Sequence, residues 1–156
     1  MVIERELLAR VGARVLEDAA YVVAVPSRAQ RLDSVAWGAR GVRLAFDGPF
    51  SGCCELWAPR EVTHLLAATM LGMDDACAEA DELGIEALRE TVSILCGDLL
   101  TELAGHDPVF DLGTPDVHER FTVRPAGGSA AEAWFLVDGQ PLLLRAWLTQ
   151  RAAEAA

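Results

Sequence analysis

Two hydrophobic periods alternate along this chain, and each predicts a different element. Over residues 2–19 the apolar positions Ile3, Leu7, Leu8, Val11, Val15 and Leu16 recur three and four apart, the pattern of an amphipathic helix. Tyr21 to Val25 is a short β-branched run that Pro26 closes, and the polar stretch Ser27 to Asp33 reads as a loop. From Val35 to Phe46 the period drops to two: Val42, Leu44 and Phe46 alternate with Arg43 and Ala45, as in a strand with one buried face. Asp47-Gly-Pro-Phe-Ser-Gly52 carries the residues of a hairpin loop, and Cys53 to Trp57 returns. Pro59 suits the start of a helix, where its missing N–H is not needed. That helix is expected to reach Leu71, with Val62, Leu65, Leu66, Thr69 and Met70 buried and Gly72 as its C-cap.

A longer helical pattern follows the acidic approach Asp74 to Glu82, which complements the positive end of a helix dipole. Gly105 and Pro108 end it. Ile85, Leu88, Val92, Leu95, Cys96, Leu99 and Leu103 form a stripe built for a core. Glu86, Glu90, Ser93 and Gly97, at spacings of four, three and four, form a second narrow stripe well around the helix from the first. A glycine inside a helix costs about 1 kcal/mol relative to alanine, so either close packing or a close-approaching partner should compensate for Gly97. Glu86 with Arg89 three residues on is also a candidate surface ion pair.

The remaining runs, Val109 to Leu112, Phe121 to Val123, Trp134 to Val137 and Leu142 to Trp147, read as strands, with Asp138-Gly139 as a hairpin turn. The order of helix, strands, two helices and strands predicts an α+β fold: a mixed or antiparallel sheet with long helices packed on one face. Residues 1–150 are expected to form a single domain, and 151–156 a short disordered or frayed tail.

The 156 residues carry 13 Lys+Arg against 24 Asp+Glu, a net charge of −11, which opposes binding to nucleic acid or anionic lipid. A basic or Mg²⁺-coordinating protein surface is the more natural partner. No apolar run approaches the roughly 18 residues of a membrane span, and the first helix is too charged for a secretory signal, so a cytoplasmic location with reduced thiols is expected. Cys53 and Cys54 are adjacent and face opposite sides of a strand; Cys96 lies on the apolar face of the long helix and reads as a small buried hydrophobe. His64, His106 and His118 lack metal-ligand spacing, and Gly127-Gly128-Ser129 lacks the lysine of a phosphate loop and reads as a turn.

Glu90-x-x-Ser93-x-x-x-Gly97 resembles the Glu-x-x-Asn-x-x-x-Gly signature of the CheC/CheX/FliY family of chemotaxis phosphatases, with serine in place of asparagine. The elements from about residue 35 to 148 also follow the family's order, closest to its single-site CheX-like members. The resemblance implies a pseudo-duplicated arrangement of helix plus strands in each half. It implies an activity, hydrolysis of the aspartyl phosphate on a response-regulator receiver domain, in which Mg²⁺ and a lysine belong to the receiver and this chain holds no cofactor. Glu90 would pair with that lysine, Ser93 would orient the attacking water, and Glu86 and Gly97 would contact the partner. In the N-terminal half Glu6-x-x-Ala9 occupies the nearest register, and alanine cannot orient a water, so one site per chain is expected. Two readings stay open: a phosphatase that works with serine, or a catalytically inactive binding module in a two-component or motility complex. A homodimer is also consistent with the resemblance.

Overall fold

The computed structural model describes residues 1–28, 38–72, 79–121 and 130–149. Helix α1 (Arg5–Asp18) is followed by β1 (Ala24–Ser27), β2 (Ala39–Asp47), β3 (Ser51–Pro59), α2 (Arg60–Leu71) and α3 (Ala80–Ala104). The short strands β4 (Asp111–Leu112) and β5 (Asp116–His118) lead to β6 (Ala131–Val137) and β7 (Gln140–Thr149). All strand pairs are antiparallel, in the order β1-β6-β7-β3-β2-β4, with β5 also on β2. The fold is α+β, as the pattern of periods predicts.

Two hairpins form the sheet's centre. In the second, Asp138 and Gly139 take φ of 51° and 76°, the left-handed pair that matches the twist of a two-residue hairpin. Val137 pairs with Gln140 across that turn. The hairpins join along β3 and β7, from Ser51↔Thr149 to Trp57↔Leu143. The topology is that of a duplication: α1, β1, β2 and β3 correspond in order and sheet position to α3, β4/β5, β6 and β7. Each half lends its first strand to the other's hairpin, β1 to β6 and β4/β5 to β2.

The three helices of the described residues lie on one face of the sheet. Leu8, Val11, Val15 and Leu16 of α1, Val62 and Leu66 of α2, and Leu88, Val92 and Leu95 of α3 share one core with the sheet's alternate residues, among them Val42, Leu44, Leu56, Phe135 and Leu144. The opposite face holds a second, smaller cluster that includes Trp57, Trp134 and Leu143. Beside it runs a cross-strand ladder of alternating charge, Arg43↔Glu55↔Arg145↔Glu132. Glu55 and Arg145 are fully buried, joined at 2.9 and 2.7 Å, while Arg43 reaches the other carboxylate oxygen at 2.7 and 2.6 Å. The Trp57 indole N–H also donates to Glu55, at 3.1 Å. A buried carboxylate is tolerated here because several donors replace its water.

Several boundaries differ from the expectation. α1 starts at Arg5, although Ile3 is still buried. Pro26 lies within β1 rather than closing it, which an edge strand permits because the missing N–H need not face a neighbour. Asp116–His118, not expected as a strand, pairs with the outer side of β2, while the run from Val109 contributes Asp111–Leu112 alone. On α2 Thr63 and Ala67 are buried in place of Leu65, Thr69 and Met70, which are half-buried. The expected strand residues 35–37 and 122–123, the glycine turn at 127–129 and the tail 151–156 lie outside the described residues.

Candidate functional site

The stripe of Glu86, Glu90, Ser93 and Gly97 sits on α3, a 25-residue helix that forms because its inner face is continuous and its ends are defined. Asp81 and Glu82 occupy the first turn, and Gly105, with φ 80°, ends the last. Leu88, Val92, Leu95, Cys96 and Leu99 are buried as the pattern predicts; Ile85 and Leu103 are only half-buried. Neighbouring elements grip the helix along its sides. Arg10 and Arg14 of α1 reach Glu102 at 3.4 and 3.3 Å, and Arg14 reaches Asp98 at 3.6 Å. At the other end Asp81 accepts from His64 Nε2 at 2.6 Å and from Arg60 of α2 at 2.9 Å. The hydrogen bond from His64, with help from Arg60 and Arg40, holds the Asp81 carboxyl below its ordinary value.

The stripe itself is left open. Glu86 and Glu90 are exposed, Ser93 and Gly97 half-buried. Glu86 accepts from Arg89 Nη1 at 3.0 Å, the expected surface pair, which is worth about 0.2–1 kcal/mol. Ser93 Oγ donates to the carbonyl of Arg89, one turn back, at 2.9 Å. Its proton is thus engaged by the backbone, and the lone pairs it turns outward can only accept.

The two glycines of α3 differ in what surrounds them. A Cβ on Gly84 would stand 2.8 Å from Thr63 Oγ1 and 3.0 Å from Thr63 Cβ, so Gly84 allows α2 and α3 to pack. A Cβ on Gly97 would meet nothing within 4 Å. No packing within the described residues compensates for the helix propensity lost at Gly97. Beside it a cleft of about 180 Å³ opens between the end of α3 and the segment leading into β4. Sequence periodicity did not reveal this cleft, because it depends on where residues 105–112 fold back.

The other candidate chemistries find no geometry. Cys54 and Cys96 are buried, and the Cys54 thiol is pushed well above its ordinary value, first by its hydrogen bond with Cys96 and then by burial. Burial also raises the Cys53 thiol, so neither offers a ready thiolate. Among the described residues no group of three or more His, Cys, Asp and Glu could hold a metal ion, and no helix is long and apolar enough to cross a membrane. Glu6 is exposed and Ala9 half-buried, and both line a larger cleft of about 740 Å³ between α1 and the ends of β6 and β7, to which the α3 stripe contributes nothing.

No protein-family model and no curated protein sequence matches the chain. Solved structures do. The chain superposes with a TM-score of 0.73 and 19% identity on the CheX–CheY–BeF3–Mg²⁺ complex from Borrelia burgdorferi, covering 96% of this chain and 100% of that one. CheX from Vibrio vulnificus gives 0.72 and 19%, covering 92% and 94%. FliY from Thermotoga maritima gives 0.52 and 13%, covering 93% and 88%. The resemblance read from the residues is borne out in the fold, which this chain shares with CheX, CheC-like and FliY structures. It also reaches beyond residues 35–148, since α1 and β1 are included in those coverages.

Proposed function

We propose that this chain binds the receiver domain of a response regulator through the open face of α3 and hydrolyses its aspartyl phosphate. The observation that carries the reading is Gly97. It lies in the same stripe as Glu90 and Ser93, and a Cβ there would meet nothing within 4 Å among the described residues, so no side-chain packing among them requires a glycine. A CheX of the same fold held with CheY, BeF3 and Mg²⁺ supports the choice of partner. In this reading Glu90 pairs with the receiver's lysine and sets the docking register, Glu86 adds a second carboxylate facing the partner, and Gly97 lets the backbones approach. No metal is needed on this chain, since the Mg²⁺ belongs to the receiver.

Phosphoryl transfer requires little covalent help and is accelerated by positioning and electrostatics. Ser93 can contribute the positioning. With its own proton engaged by Arg89, the hydroxyl oxygen accepts from a water and leaves the water's lone pair free to point at phosphorus. The same acceptor role falls to the carbonyl of an asparagine, which reaches one atom further. That shorter reach favours a slow enzyme, and in the limit a binding module without catalysis. The test is the lifetime of phosphoryl-aspartate on receiver domains, with and without this protein. A shortened lifetime that disappears in Glu90→Ala is expected. Ser93→Asn should raise the rate by about thirty- to a thousandfold, the scale of one well-placed hydrogen bond of about 2–4 kcal/mol. An unchanged lifetime on a receiver that demonstrably binds would retire the hydrolase and leave the binding module.

A further inference from the structure

The cleft beside Gly97 continues the α3 stripe past its last residue. Leu100, Phe110 and Leu112 supply apolar lining, Thr101 and His106 polar groups, and Gly97 bare backbone. Leu112 is 43% exposed, so the apolar side of the cleft that it forms is open to water among the described residues. The volume of about 180 Å³ equals roughly six waters at their liquid share of about 30 Å³ each, room for one large side chain.

We propose that the cleft is a socket for a single large, mainly apolar side chain of the receiver domain that engages Glu90, so that docking has an ionic point and an apolar anchor. The inference rests on the proposed function and deepens it by naming what the partner must carry. Gly97 lies seven residues beyond Glu90, on the order of 10 Å along the axis at 1.5 Å per residue, which sets the spacing between the partner's lysine and its anchor. A second copy of this chain is the poorer occupant. It would bring Glu86 and Glu90 against the same two carboxylates, in a chain of net charge −11. Anchors that fill such pockets tend to dominate an interface, and aromatic side chains are over-represented among them.

Two substitutions test the socket against Glu90→Ala, by calorimetric titration with a receiver domain carrying BeF3 and Mg²⁺. Gly97→Leu introduces a good helix former where a Cβ has space, at a residue that lines the cleft. Leu112→Ser removes the far wall without touching α3. Both are expected to fold, as read by thermal melting, and to weaken binding by at least about tenfold, as loss of a hot-spot contact does. Wild-type affinity in Leu112→Ser, with Glu90→Ala impaired, would overturn the socket and leave the receiver reading intact, whatever Gly97→Leu does through steric exclusion of the backbone. Absence of wild-type binding to a receiver panel that includes the cognate one would overturn both.

Discussion

Replacing each glycine of α3 by alanine should move stability in different directions, and the difference isolates what each glycine is for. Both positions are interior to one helix, so the propensity gain of about 1 kcal/mol is common to both and cancels in the comparison. At Gly97 the new methyl meets nothing within 4 Å, and the whole gain should appear. At Gly84 the methyl would press on Thr63, which is fully buried and held by a hydrogen bond from its Oγ1 to the carbonyl of Arg60 at 2.8 Å. A β-branched side chain so fixed cannot turn aside, and either α2 or α3 must shift. Overpacking of this kind costs about 1–3 kcal/mol, so Gly84→Ala should end between neutral and about 2 kcal/mol destabilised. The two variants should differ by about 1–3 kcal/mol, an offset of the order of 1 M in urea midpoint at the slopes usual for small domains. Equilibrium urea unfolding followed by circular dichroism measures it. Equal midpoints, or a Gly97→Ala protein less stable than wild type, would refute the reasoning. The second result would also remove the premise of the docking argument, because Gly97 would then be required by the fold.

Two further predictions concern the groups that surround the site. Glu55→Ala removes the carboxylate that meets the buried Arg145 at 2.7 Å, while Glu132 lies at 3.8 Å, so a loss of about 3–5 kcal/mol is expected, lowering the urea midpoint by about 1 M or more; a shift below about 0.3 M would show that the ladder contributes little. The Asp81 carboxyl is held low in the fold, first by the His64 hydrogen bond, so its contribution is present above the ordinary aspartate value of about 3.9 and is lost as pH falls through the lowered one. Asp81→Asn should therefore be less stable than wild type at neutral pH and converge with it in acid, and thermal melts showing a constant gap from neutral pH to pH 2 would contradict that assignment.

Periodicity carried most of this fold because its main core lies on one face of the sheet. Val42, Leu44 and Phe46 announce the inner face of β2 by alternation, and the buried stripe of α3 announces the helix that covers it. Glu90, Ser93 and Gly97 were legible for the complementary reason: they interrupt an apolar helix on its outer side. Other features depend on contacts that no single segment specifies. Glu55 looks like an outward polar residue until β7 places Arg145 opposite it and Trp57 adds an indole N–H. Thr63 looks polar until Gly84, in another helix, makes room for it. Strand β5 has no alternation of its own and exists because β2 offers it an edge. The cleft at Gly97 belongs to the same class.

The duplication sharpens the case for one site. α1 and α3 occupy corresponding places over the two hairpins, and each seats apolar residues on the sheet. If an exposed carboxylate on such a helix were a consequence of the architecture, both halves would present the same outward chemistry. They do not. On α1 the glycine, Gly12, faces inward, where a Cβ would stand 2.8 Å from the Phe135 ring, and the exposed Glu6 is followed at three residues by Ala9. On α3 the inward glycine, Gly84, is likewise explained by packing, and a second one faces outward beyond Glu90 and Ser93 without any such explanation. The asymmetry between the halves therefore lies in outward-facing residues that the shared core does not require. That is where a requirement imposed by a partner, rather than by folding, would be expected to appear.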